Sequence, residues 1–365
     1  MLKRIFADNF RALVNFELRP GHLSLLLGEN GSGKTSVFDV LGGLRDLIVL
    51  GLPASQLFSG TRTRWDTRDV QRFELDVESG GHYRYMLEIQ HPEESHGKPF
   101  IRSENVTFDG APLYRFSAGE VQLYRDDGVA GPAFPFRPDQ SFLLNIDAPG
   151  AKQMARLAEF KAFVAGFQIV QPNPFSIEDS SQQDQLFLTR HGSNFASFFS
   201  YLNSERPDVR AELERRLGKA LPDFLNLFFR RVGDAKFLLA MFNGEEKPST
   251  EYWFRELSEG QRVLVILYST VCGLIQQGSV LCFDEPDNFV SLSEVQPWLQ
   301  FLRDTLEVRG GQAMIISHHP EVMDYLAQDS LWRFERPSGP VIVRPYESDT
   351  ESPLKLSELV ARGAA

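Results

Sequence analysis

The stretch that decides the fold is Gly28-Glu-Asn-Gly-Ser-Gly-Lys-Thr35, which matches the pattern G-x-x-x-x-G-K-[ST]. The apolar segment Leu23 to Leu27 precedes it as a predicted strand, and Ser36 to Leu47 follows it as a predicted helix. Glycines allow the backbone to curl so that its N–H groups surround phosphate oxygens at the positive end of the helix. We expect Lys34 to reach the terminal phosphates and Thr35 to hold Mg²⁺. A chance glycine-rich turn is the alternative, and the flanking elements argue against it.

A second stretch, Val280-Leu-Cys-Phe-Asp-Glu-Pro286, is an apolar strand that ends in two acids. A carboxylate at the carboxyl end of a strand can hold Mg²⁺, so we assign that role to Asp284. Glu285 points elsewhere on the alternating strand and can polarise an attacking water. Solvated acids at an ordinary strand end are the alternative, which we would prefer if the chain had no phosphate loop.

A third stretch, Leu257-Ser-Glu-Gly-Gln-Arg262, places small residues at the start of a long apolar helix. It predicts a second anion site at Ser258, although Ser258 is also a good helix cap in its own right. The order of the motifs favours the anion site, since Asp284 follows soon afterwards along the chain. Ile315-Ile-Ser-His-His-Pro320 then places His318 just beyond a strand, where a lone histidine would more often be structural.

The composition is that of an ordinary globular protein of 365 residues, with 42% hydrophobic and 24% charged residues. That length allows one large domain or two ordinary ones. The net charge of −11 argues against a protein that binds nucleic acid through its overall charge. Local basic patches remain compatible with this net charge. The longest apolar run, Val263 to Ile275, is too short to span a membrane, and the N-terminus does not read as a secretory signal. Cys272 and Cys282 are typical of core thiols, so we expect a cytoplasmic protein without a membrane partner.

Residues 1–145 predict a mostly antiparallel β lobe around one strand–helix unit. Alternating apolar residues from Arg72 to Gln90 predict a hairpin, and Ile101 to Phe108 with Leu113 to Phe116 predicts a second pair of strands. Helical periodicity begins near residue 151. The candidate helices in this middle part are 154–164, 194–203, 207–217 and 222–230.

After Trp253, predicted helices and strands alternate, which implies a parallel sheet. The strands are Val280 to Phe283 and Ala313 to Ile316, and helices begin at Gln261 and near Val295. We therefore divide the chain into three parts: an N-terminal lobe with the phosphate loop and the hairpins, 1–150, a helical insertion, 151–250, and a C-terminal lobe with the Ser258, Asp284 and His318 motifs, 251–365.

In this order, the phosphate loop, the Ser258 stretch, Asp284-Glu285 and His318 resemble the ABC-type ATPases. Asn9-Phe10-Arg11 resembles the start of SMC, RecF and OLD heads, and the middle of the chain is similar to the helical lid of predicted ATPases near OLD and RecF. The resemblance implies an α/β fold, namely a P-loop NTPase ABC-type head with an antiparallel β lobe and an inserted helical lid. It implies ATP and Mg²⁺ as ligands, and Glu285 and His318 as catalytic residues. The implied nucleotide contacts are Arg11, Asn30, Gly31, Ser32, Gly33, Lys34, Thr35, Ser36, Ser258, Gly260 and Asp287.

The magnesium ligands that the resemblance implies are Thr35, Asp284 and a glutamine. For the glutamine we prefer Gln140 to Gln122. Two departures from the family pattern concern other positions. Glu259 stands where transporters usually have glycine, and the loop after Pro286 lacks the histidine that is common in relatives.

By resemblance, the protein is a homodimer joined through ATP, in which Ser258 contacts the γ-phosphate bound by the other copy and His318 senses it. We expect a nucleotide-driven dimer switch in DNA maintenance or anti-phage defence, acting with a separate effector protein. The alternative is a scaffold that binds ATP and docks an effector or toxin with incidental hydrolysis, and the intact Glu285 argues mildly against it. A membrane-transporter subunit is less favoured, because Lys34 and Ser258 are much further apart than a compact transporter domain needs. The sequence has no sustained heptads, which argues against long SMC-type coiled-coil arms. The segment after His318 is too short for the nuclease domain of OLD proteins.

The segment 206–236 contains more basic than acidic residues, in contrast to the chain as a whole. This excess fits a DNA-contacting lid, and it fits a solvated helix face at least as well. The basic residues are Arg206, Arg210, Arg215, Arg216, Lys219, Arg230, Arg231 and Lys236.

Overall fold

The computed structural model describes residues 1–92, 97–146, 154–244, 249–346 and 355–361. The chain forms two compact units. The first unit comprises Met1–Phe167 and Asp329–Glu347, and the second comprises Gln168–Gln328 and Ser348–Ala365. The boundaries at residues 150 and 250 that the sequence suggests remain a prediction about the functional parts of the chain.

The strands of the described residues are numbered in chain order. They are β1 Leu2–Asp8, β2 Phe16–Leu18, β3 Leu23–Gly28, β4 Val70–Glu78, β5 His82–Gln90, β6 Phe100–Phe108, β7 Ala111–Ser117, β8 Glu120–Tyr124, β9 Ala130–Pro135, β10 Phe167–Val170, β11 Ser180–Ser181, β12 Phe224–Val232, β13 Ala235–Phe242, β14 Thr250–Trp253, β15 Val280–Asp284, β16 Gln312–Ile316, β17 Ser330–Glu335 and β18 Ile342–Pro345.

The α-helices are numbered in the same way. They are α1 Lys34–Ile48, α2 Ala54–Phe58, α3 Ala155–Ala165, α4 Phe195–Glu205, α5 Pro207–Ala220, α6 Glu259–Leu274, α7 Leu292–Arg309, α8 Pro320–Tyr325 and α9 Leu356–Ala361. Two short 3-10 helices span Phe142–Asn145 and Phe254–Glu256. Among the residues described, no helix is both long and apolar enough to cross a membrane.

An antiparallel sheet in the order β2-β1-β4-β5-β6-β7-β8-β9 forms the β lobe of the first unit. Its strands form because apolar residues alternate with polar ones, so that one face is buried. In the β4–β5 hairpin, Phe73 pairs with Leu87 and Val77 pairs with Tyr83, and all four side chains are fully buried. The ring of Phe160 on α3 packs on this face. Both predicted hairpins are confirmed.

The phosphate-loop segment of the first unit joins β3 to α1, as the sequence predicts. β3 pairs in parallel with β17, and β17 pairs antiparallel with β18. Leu25 and Leu26 of β3 are fully buried, as are Val37 and Phe38 on the first turns of α1. The strand–loop–helix connection is therefore anchored in the hydrophobic core at both ends.

The second unit contains parallel strands, as the alternation after Trp253 predicts. β15 pairs in parallel with β16, and β10 lies beside β15. The helix α6 contains most of the longest apolar run of the sequence, and the residues from Val263 to Cys272 are all buried. Cys272 and Cys282 are buried and form no disulfide in the described part of the chain, so their prediction as core residues is confirmed.

The predicted helix at residues 222–230 is wrong. The segment forms β12, which pairs antiparallel with β13, while β11 and β14 also pair with β13. A two-residue turn at Gly233 and Asp234 joins the two strands, with Gly233 at φ +62°. Leu227 lies opposite Ala240, and both side chains are fully buried. Pairing with a second strand therefore decides the structure of this part of the inserted segment, which is not purely helical.

Candidate functional site

The lysine of the phosphate loop is buried inside its own loop. Lys34 is only 5% exposed, although it is the first residue of α1. Its Nζ donates hydrogen bonds to the carbonyl oxygens of Gly28 at 2.7 Å and Glu29 at 2.9 Å, and it lies 3.5 Å from Ser32 Oγ. A positive charge is therefore held within the curl of the loop by oxygens of the loop itself.

Two glycines of this loop are required by their backbone conformation and close neighbours. Gly28 has φ +146°, and a Cβ there would lie 2.3 Å from the carbonyl oxygen of Phe334 on β17. Gly33 has φ +99°, and a Cβ there would lie 2.6 Å from Val341 Cγ2. A side chain at either position would strain the backbone and also collide with its neighbours. The loop can therefore adopt this curl only with glycine at both positions.

The start of α1 is suited to binding an anion. Gly33 caps the helix without a side-chain hydrogen bond, and the first turn of this fully described helix contains no acidic residue. The amide of Ser36 donates to the Gly33 carbonyl at 3.1 Å, and the amide of Ser32 donates to the Glu29 carbonyl at 3.2 Å. A helix N-terminus without a carboxylate keeps the positive end of its dipole available to phosphate. Of the remaining predicted contacts, Asn30 and Gly31 are exposed in the loop, and Thr35 is half-buried on the first turn.

Arg11 lies in a tight turn beside α1. Asn9 and Arg11 both have left-handed backbone conformations, with φ of 60° and 52°. The Arg11 guanidinium forms an ion pair with Asp39 of α1, and it lies over the ring of Phe10. Asp39 is about one helical turn beyond Thr35, so Arg11 lies along the N-terminal half of the helix. This placement is compatible with the predicted approach of Arg11 to a nucleotide.

Gln140 is held at the other end of α1. Its side-chain oxygen accepts a hydrogen bond from Arg137, and the neighbouring Asp139 carbonyl accepts from the amide of Ala54, shortly after α1 ends. A helix of 15 residues is about 22 Å long, and Thr35 lies at its beginning. These contacts therefore lend no support to Gln140 as a magnesium ligand, and that role remains a prediction from the resemblance. The other candidate, Gln122, donates to backbone carbonyls within the β8–β9 pair.

In the second unit, Asp284 ends β15 as a buried carboxylate that is 1% exposed. Its Oδ2 accepts a hydrogen bond from Arg190 Nη2 at 2.9 Å, and Arg190 Nε donates to Gln171 Oε1 at 3.0 Å. A buried carboxylate requires a compensating cation or hydrogen-bond donors. Sequence reasoning missed Arg190, which precedes Asp284 by 94 positions and carries no local motif that would mark it.

Glu285 follows in a left-handed conformation with φ 50°. Its amide donates to the carbonyl of Ile316 at 2.8 Å, which turns the chain sharply at the end of the strand. The Glu285 carboxylate accepts a hydrogen bond from Asn288 Nδ2 at 2.8 Å. Such strained residues cluster at functional sites, where the surrounding structure fixes them. Asn288 is a second residue that sequence reasoning missed, and it orients the predicted water-activating carboxylate.

The structure brings Asp287 together with the end of β16. Burial raises the pKa of Asp287, although hydrogen bonding by Ser317 opposes that shift. Its Oδ1 has no hydrogen-bond partner among the residues that the structure describes. His318 comes directly after Ser317 and is exposed, while His319 Nδ1 accepts from the amide of Glu321 and caps α8. Of the two adjacent histidines, His319 therefore has a structural role, and His318 is the one directed to the surface.

The Ser258 stretch caps α6, and it also meets the loop after Pro286. Ser258 Oγ accepts from the amide of Gln261 at 3.3 Å, and Gln261 Oε1 accepts from the amide of Ser258 at 3.0 Å. Ser258 remains exposed, so capping leaves its surface accessible. The carbonyl oxygen of Phe289 would lie 2.6 Å from a Cβ at Gly260. The predicted Ser258 and Asp287 loops are therefore in direct contact.

Two exposed aromatic side chains lie beside this stretch. Phe175 is 73% exposed and Phe289 is 50% exposed, and their rings meet edge to face with centroids 5.8 Å apart. Together with Ser258, Gly260 and other residues they line a concave surface at the start of α6. Exposed apolar clusters of this kind often mark interaction surfaces.

A phosphate loop between β3 and α1, a buried Asp284 followed by the half-buried Glu285 at the end of a parallel strand, and the capped helix that begins after Ser258 give the chain the architecture of an ATPase head of the SMC, RecF and OLD-like group. The fold is that of a P-loop NTPase. More specifically, the chain belongs to the family described as AAA domain, putative AbiEii toxin, Type IV TA system, whose model matches residues 23–324.

Comparison with known proteins supports this class. The chain is similar to Protein ea59 of Escherichia phage lambda, with 24% identity over 116 residues, covering 32% of this chain and 21% of ea59. It therefore matches only about a fifth of that relative's length. Among solved structures, an SMC head bound to the C-winged helix domain of ScpA has a TM-score of 0.59 at 12% identity, covering 96% of this chain and 99% of that one.

A second solved structure gives the same result. It is an Smc head domain with an extended coiled coil, bound to the C-terminal domain of ScpA derived from Pyrococcus furiosus. Its TM-score is 0.52 at 11% identity, covering 99% of this chain and 98% of that one. At such identities the likeness establishes the fold alone, and it confirms the fold class that the sequence predicts.

Proposed function

We propose that this protein binds ATP with Mg²⁺ and hydrolyses it. The observation that carries the proposal is the buried ammonium group of Lys34, held inside a glycine-dependent loop at the start of α1. A fixed cation at the positive end of a helix dipole favours a polyphosphate over other anions. Membership of a family of AAA ATPase domains supports the same conclusion.

The donor atoms of this chain suit magnesium better than a transition metal. Thr35 offers a hydroxyl oxygen and Asp284 a carboxylate, and Mg²⁺ prefers hard oxygen ligands with phosphate oxygens completing its shell. No cluster of three or more His, Cys, Asp or Glu side chains that could hold a metal occurs within the described part of the chain. This fits a metal that arrives with the nucleotide and takes one or two protein ligands. The bound metal would neutralise charge that develops on the phosphates.

Hydrolysis would depend on Glu285 and His318. Glu285 is oriented by Asn288 and can accept a proton from an attacking water. His318 is exposed just after β16. It would contact the terminal phosphate, which is the role that the resemblance to ABC-type heads implies for it.

We further propose that ATP drives dimerisation and so controls a separate effector protein. The exposed Ser258 and the neighbouring aromatic pair of Phe175 and Phe289 support a second copy as the partner of this surface. The family description, which mentions a putative AbiEii toxin and a Type IV TA system, supports a toxin as the effector, and anti-phage defence is the setting that we propose for it. The SMC heads, which were solved with ScpA domains, give a precedent for a head of this fold that binds another protein.

The test compares ATP binding and phosphate release in the wild type with two variants. Lys34→Ala should abolish ATP binding in calorimetry, since it removes the buried cation of the loop. Glu285→Gln should keep binding and slow turnover by about 10²–10⁴-fold, the usual contribution of a positioned base. Lys219→Ala, which removes an exposed lysine of α5, is the matched control and should change neither value.

Three results would each contradict a part of the proposal. Unchanged ATP affinity in Lys34→Ala would exclude the phosphate loop as the nucleotide site. Turnover by Glu285→Gln at the wild-type rate would show that another residue activates water. Tight binding by the wild type without measurable turnover would favour the scaffold instead.

A further inference from the structure

An ion pair links Asp284 to a part of the chain that the motifs do not include. The side chain of Asp284 is 2% exposed and that of Arg190 is 29% exposed, with 2.9 Å between Nη2 and Oδ2. Arg190 also donates from Nε to Gln171 Oε1 at 3.0 Å. The guanidinium is thus fixed at two of its nitrogens, and one of them rests on the carboxylate that is proposed to hold magnesium.

The ion pair between Arg190 and Asp284 affects metal binding through its charge. A carboxylate as buried as that of Asp284 is strongly destabilised unless a cation compensates its charge. Arg190 supplies that charge, and a guanidinium remains protonated at any physiological pH. A divalent cation that binds Asp284 would approach the same carboxylate and would be repelled by the guanidinium. Arg190 and Mg²⁺ therefore compete for Asp284.

The backbone around Arg190 is attached to a neighbouring segment. The carbonyl of Arg190 accepts from the amide of Gln171 at 2.7 Å, and the carbonyl of His191 accepts from the amide of Asn173 at 3.1 Å. Gly192 follows with φ +73°, and a Cβ there would lie 2.7 Å from Ile266 Cδ1 on α6. The position of the guanidinium is therefore set by an anchored backbone.

The same segment also contacts the helix that begins at Ser258. Arg262 on the first turns of α6 donates from Nη1 to the carbonyl of Pro174 at 2.8 Å. Pro174 lies between Asn173 and the exposed Phe175. Residues 171–174 therefore connect Arg190 to α6, and a movement of Arg190 would change the contact between Pro174 and Arg262.

We propose that Arg190 is a positioning residue that neutralises Asp284 and that Mg²⁺ must displace from the carboxylate when it binds with ATP. This inference rests on the proposed function, since it takes Asp284 as a magnesium ligand. It adds a residue outside the recognised motifs and predicts that metal affinity is held down by an internal cation. Displacement would also release the contact between the Arg190 side chain and the segment that touches α6.

The experiment measures how much Mg²⁺ is needed for binding of a fluorescent ATP analogue. Mg²⁺ is titrated at a fixed analogue concentration with wild type, Arg190→Ala, Arg190→Lys and Arg210→Ala. Arg210 is the matched control, because it forms a half-exposed ion pair with Glu214 on α5 and also bonds to Asn203. Arg190→Lys keeps the positive charge but loses the planar guanidinium group. It is the variant to use if Arg190→Ala fails to fold.

Arg190→Ala should lower the Mg²⁺ midpoint about tenfold or more, a size typical of close charge pairs. Arg190→Lys should fall between wild type and Arg190→Ala, and Arg210→Ala should match wild type. Hydrogen exchange provides a second readout: Mg²⁺ with ATP should increase exchange at the amides of Gln171 and Asn173 in wild type, and the increase should be absent in Arg190→Ala.

An unchanged or raised midpoint in Arg190→Ala, with the wild type binding normally, would overturn the inference and leave the proposed function intact. Failure of the wild type to bind the analogue at any Mg²⁺ concentration would instead overturn the proposed function. If Arg190→Ala does not fold, the Arg190→Lys midpoint decides, and a value equal to that of wild type would count against displacement.

Discussion

The carbonyl oxygen of Phe289 approaches Gly260 so closely that a Cβ at residue 260 would lie 2.6 Å from it. Phe289 itself has φ 73°, an unusual conformation for a residue with a bulky side chain. The loop after Pro286 is therefore pressed against the first turn of α6, and only the absence of a side chain at residue 260 permits the contact. The position of the Ser258 surface and that of the Asp287 loop depend on each other.

Gly260→Ala should disturb this contact without affecting the phosphate loop. The added methyl group would push the backbone of Phe289 away, so we expect ATP turnover to fall at least about tenfold, as small misplacements in active sites do. ATP affinity should stay near the wild-type value, because Lys34 belongs to the other unit. Turnover assays and calorimetry measure the two effects separately. Gly218→Ala on α5 is the control, because a Cβ there would lie 3.6 Å from the carbonyl oxygen of Phe224, an ordinary contact distance. Equal turnover in both variants would contradict the prediction.

ATP should convert the protein into a dimer, most clearly when Glu285→Gln prevents hydrolysis. Each copy has two helix starts that we propose bind phosphate, at Lys34 and Ser258, and a two-fold dimer would let each one meet its complement on the other copy. Light scattering of Glu285→Gln with and without Mg-ATP should show a doubling of mass. A species that stays monomeric at about tens of micromolar protein would rule against a shared site.

Ser258→Arg, introduced into Glu285→Gln, should abolish the ATP-dependent dimer. It places bulk and charge at the surface that would meet the other copy's phosphate. Ser204→Arg, at an exposed position of α4, is the control and should dimerise normally. If Ser258→Arg dimerises as well as this control, the interface lies elsewhere.

Stability should depend on pH through the buried carboxyl group of Glu104. It accepts hydrogen bonds from the hydroxyls of Tyr85, Tyr114 and Ser141, and burial raises its pKa above the ordinary value of 4.5. A raised folded-state pKa means that the folded protein retains the proton more strongly than the unfolded chain. The Glu104 contribution to the free energy of unfolding is therefore full below pH about 4.5 and falls as pH rises towards the folded-state pKa.

Glu104→Gln removes this titration while keeping a similar shape. Relative to wild type, the variant should gain stability as pH rises, with a slope of at most about 1.4 kcal/mol per pH unit. Denaturant unfolding at a series of pH values provides the measurement, and the exposed Glu120→Gln serves as the control. A stability difference between Glu104→Gln and wild type that is constant with pH would show that the pKa of Glu104 is the same in the folded and the unfolded chain.

DNA binding, predicted from the basic segment 206–236, should be weak and salt-dependent. The structure pairs Arg215 and Arg216 with Glu212, and Arg230 with Glu251, so part of the basic excess is neutralised locally. Filter binding should show affinity that falls as salt rises. Replacing Arg215 and Arg230 with alanine should reduce the salt slope by about one per lost phosphate contact. Arg19→Ala, on an exposed part of the other unit, is the control. Absence of any DNA association at low salt would reject a DNA-contacting lid.

Local patterns predicted much of the fold correctly. The β4–β5 hairpin follows from strict alternation around Gly80-Gly81, and the helices α3, α4 and α5 follow from helical periodicity. The segment 222–230 was mispredicted because Pro222 resembles a helix start, while Leu225, Leu227 and Phe229 alternate as in a strand. The turn at Gly233-Asp234 was the available signal for a hairpin. Pairing with β13 resolves the ambiguity in favour of the strand.

The sequence by itself determined the phosphate loop, because its chemistry is local: three glycines, Lys34 and Thr35 lie within one strand–loop–helix connection whose conformation follows from nearby residues. The order of the Ser258, Asp284 and His318 motifs likewise determined the class of protein. Only the tertiary structure decided that Arg190 neutralises Asp284, that Asn288 orients Glu285 and that the Phe289 carbonyl packs on Gly260. The Arg190–Asp284 and Phe289–Gly260 contacts join residues that are distant in sequence, so packing selects them. The Asn288–Glu285 contact arises from the turn that the chain makes after β15.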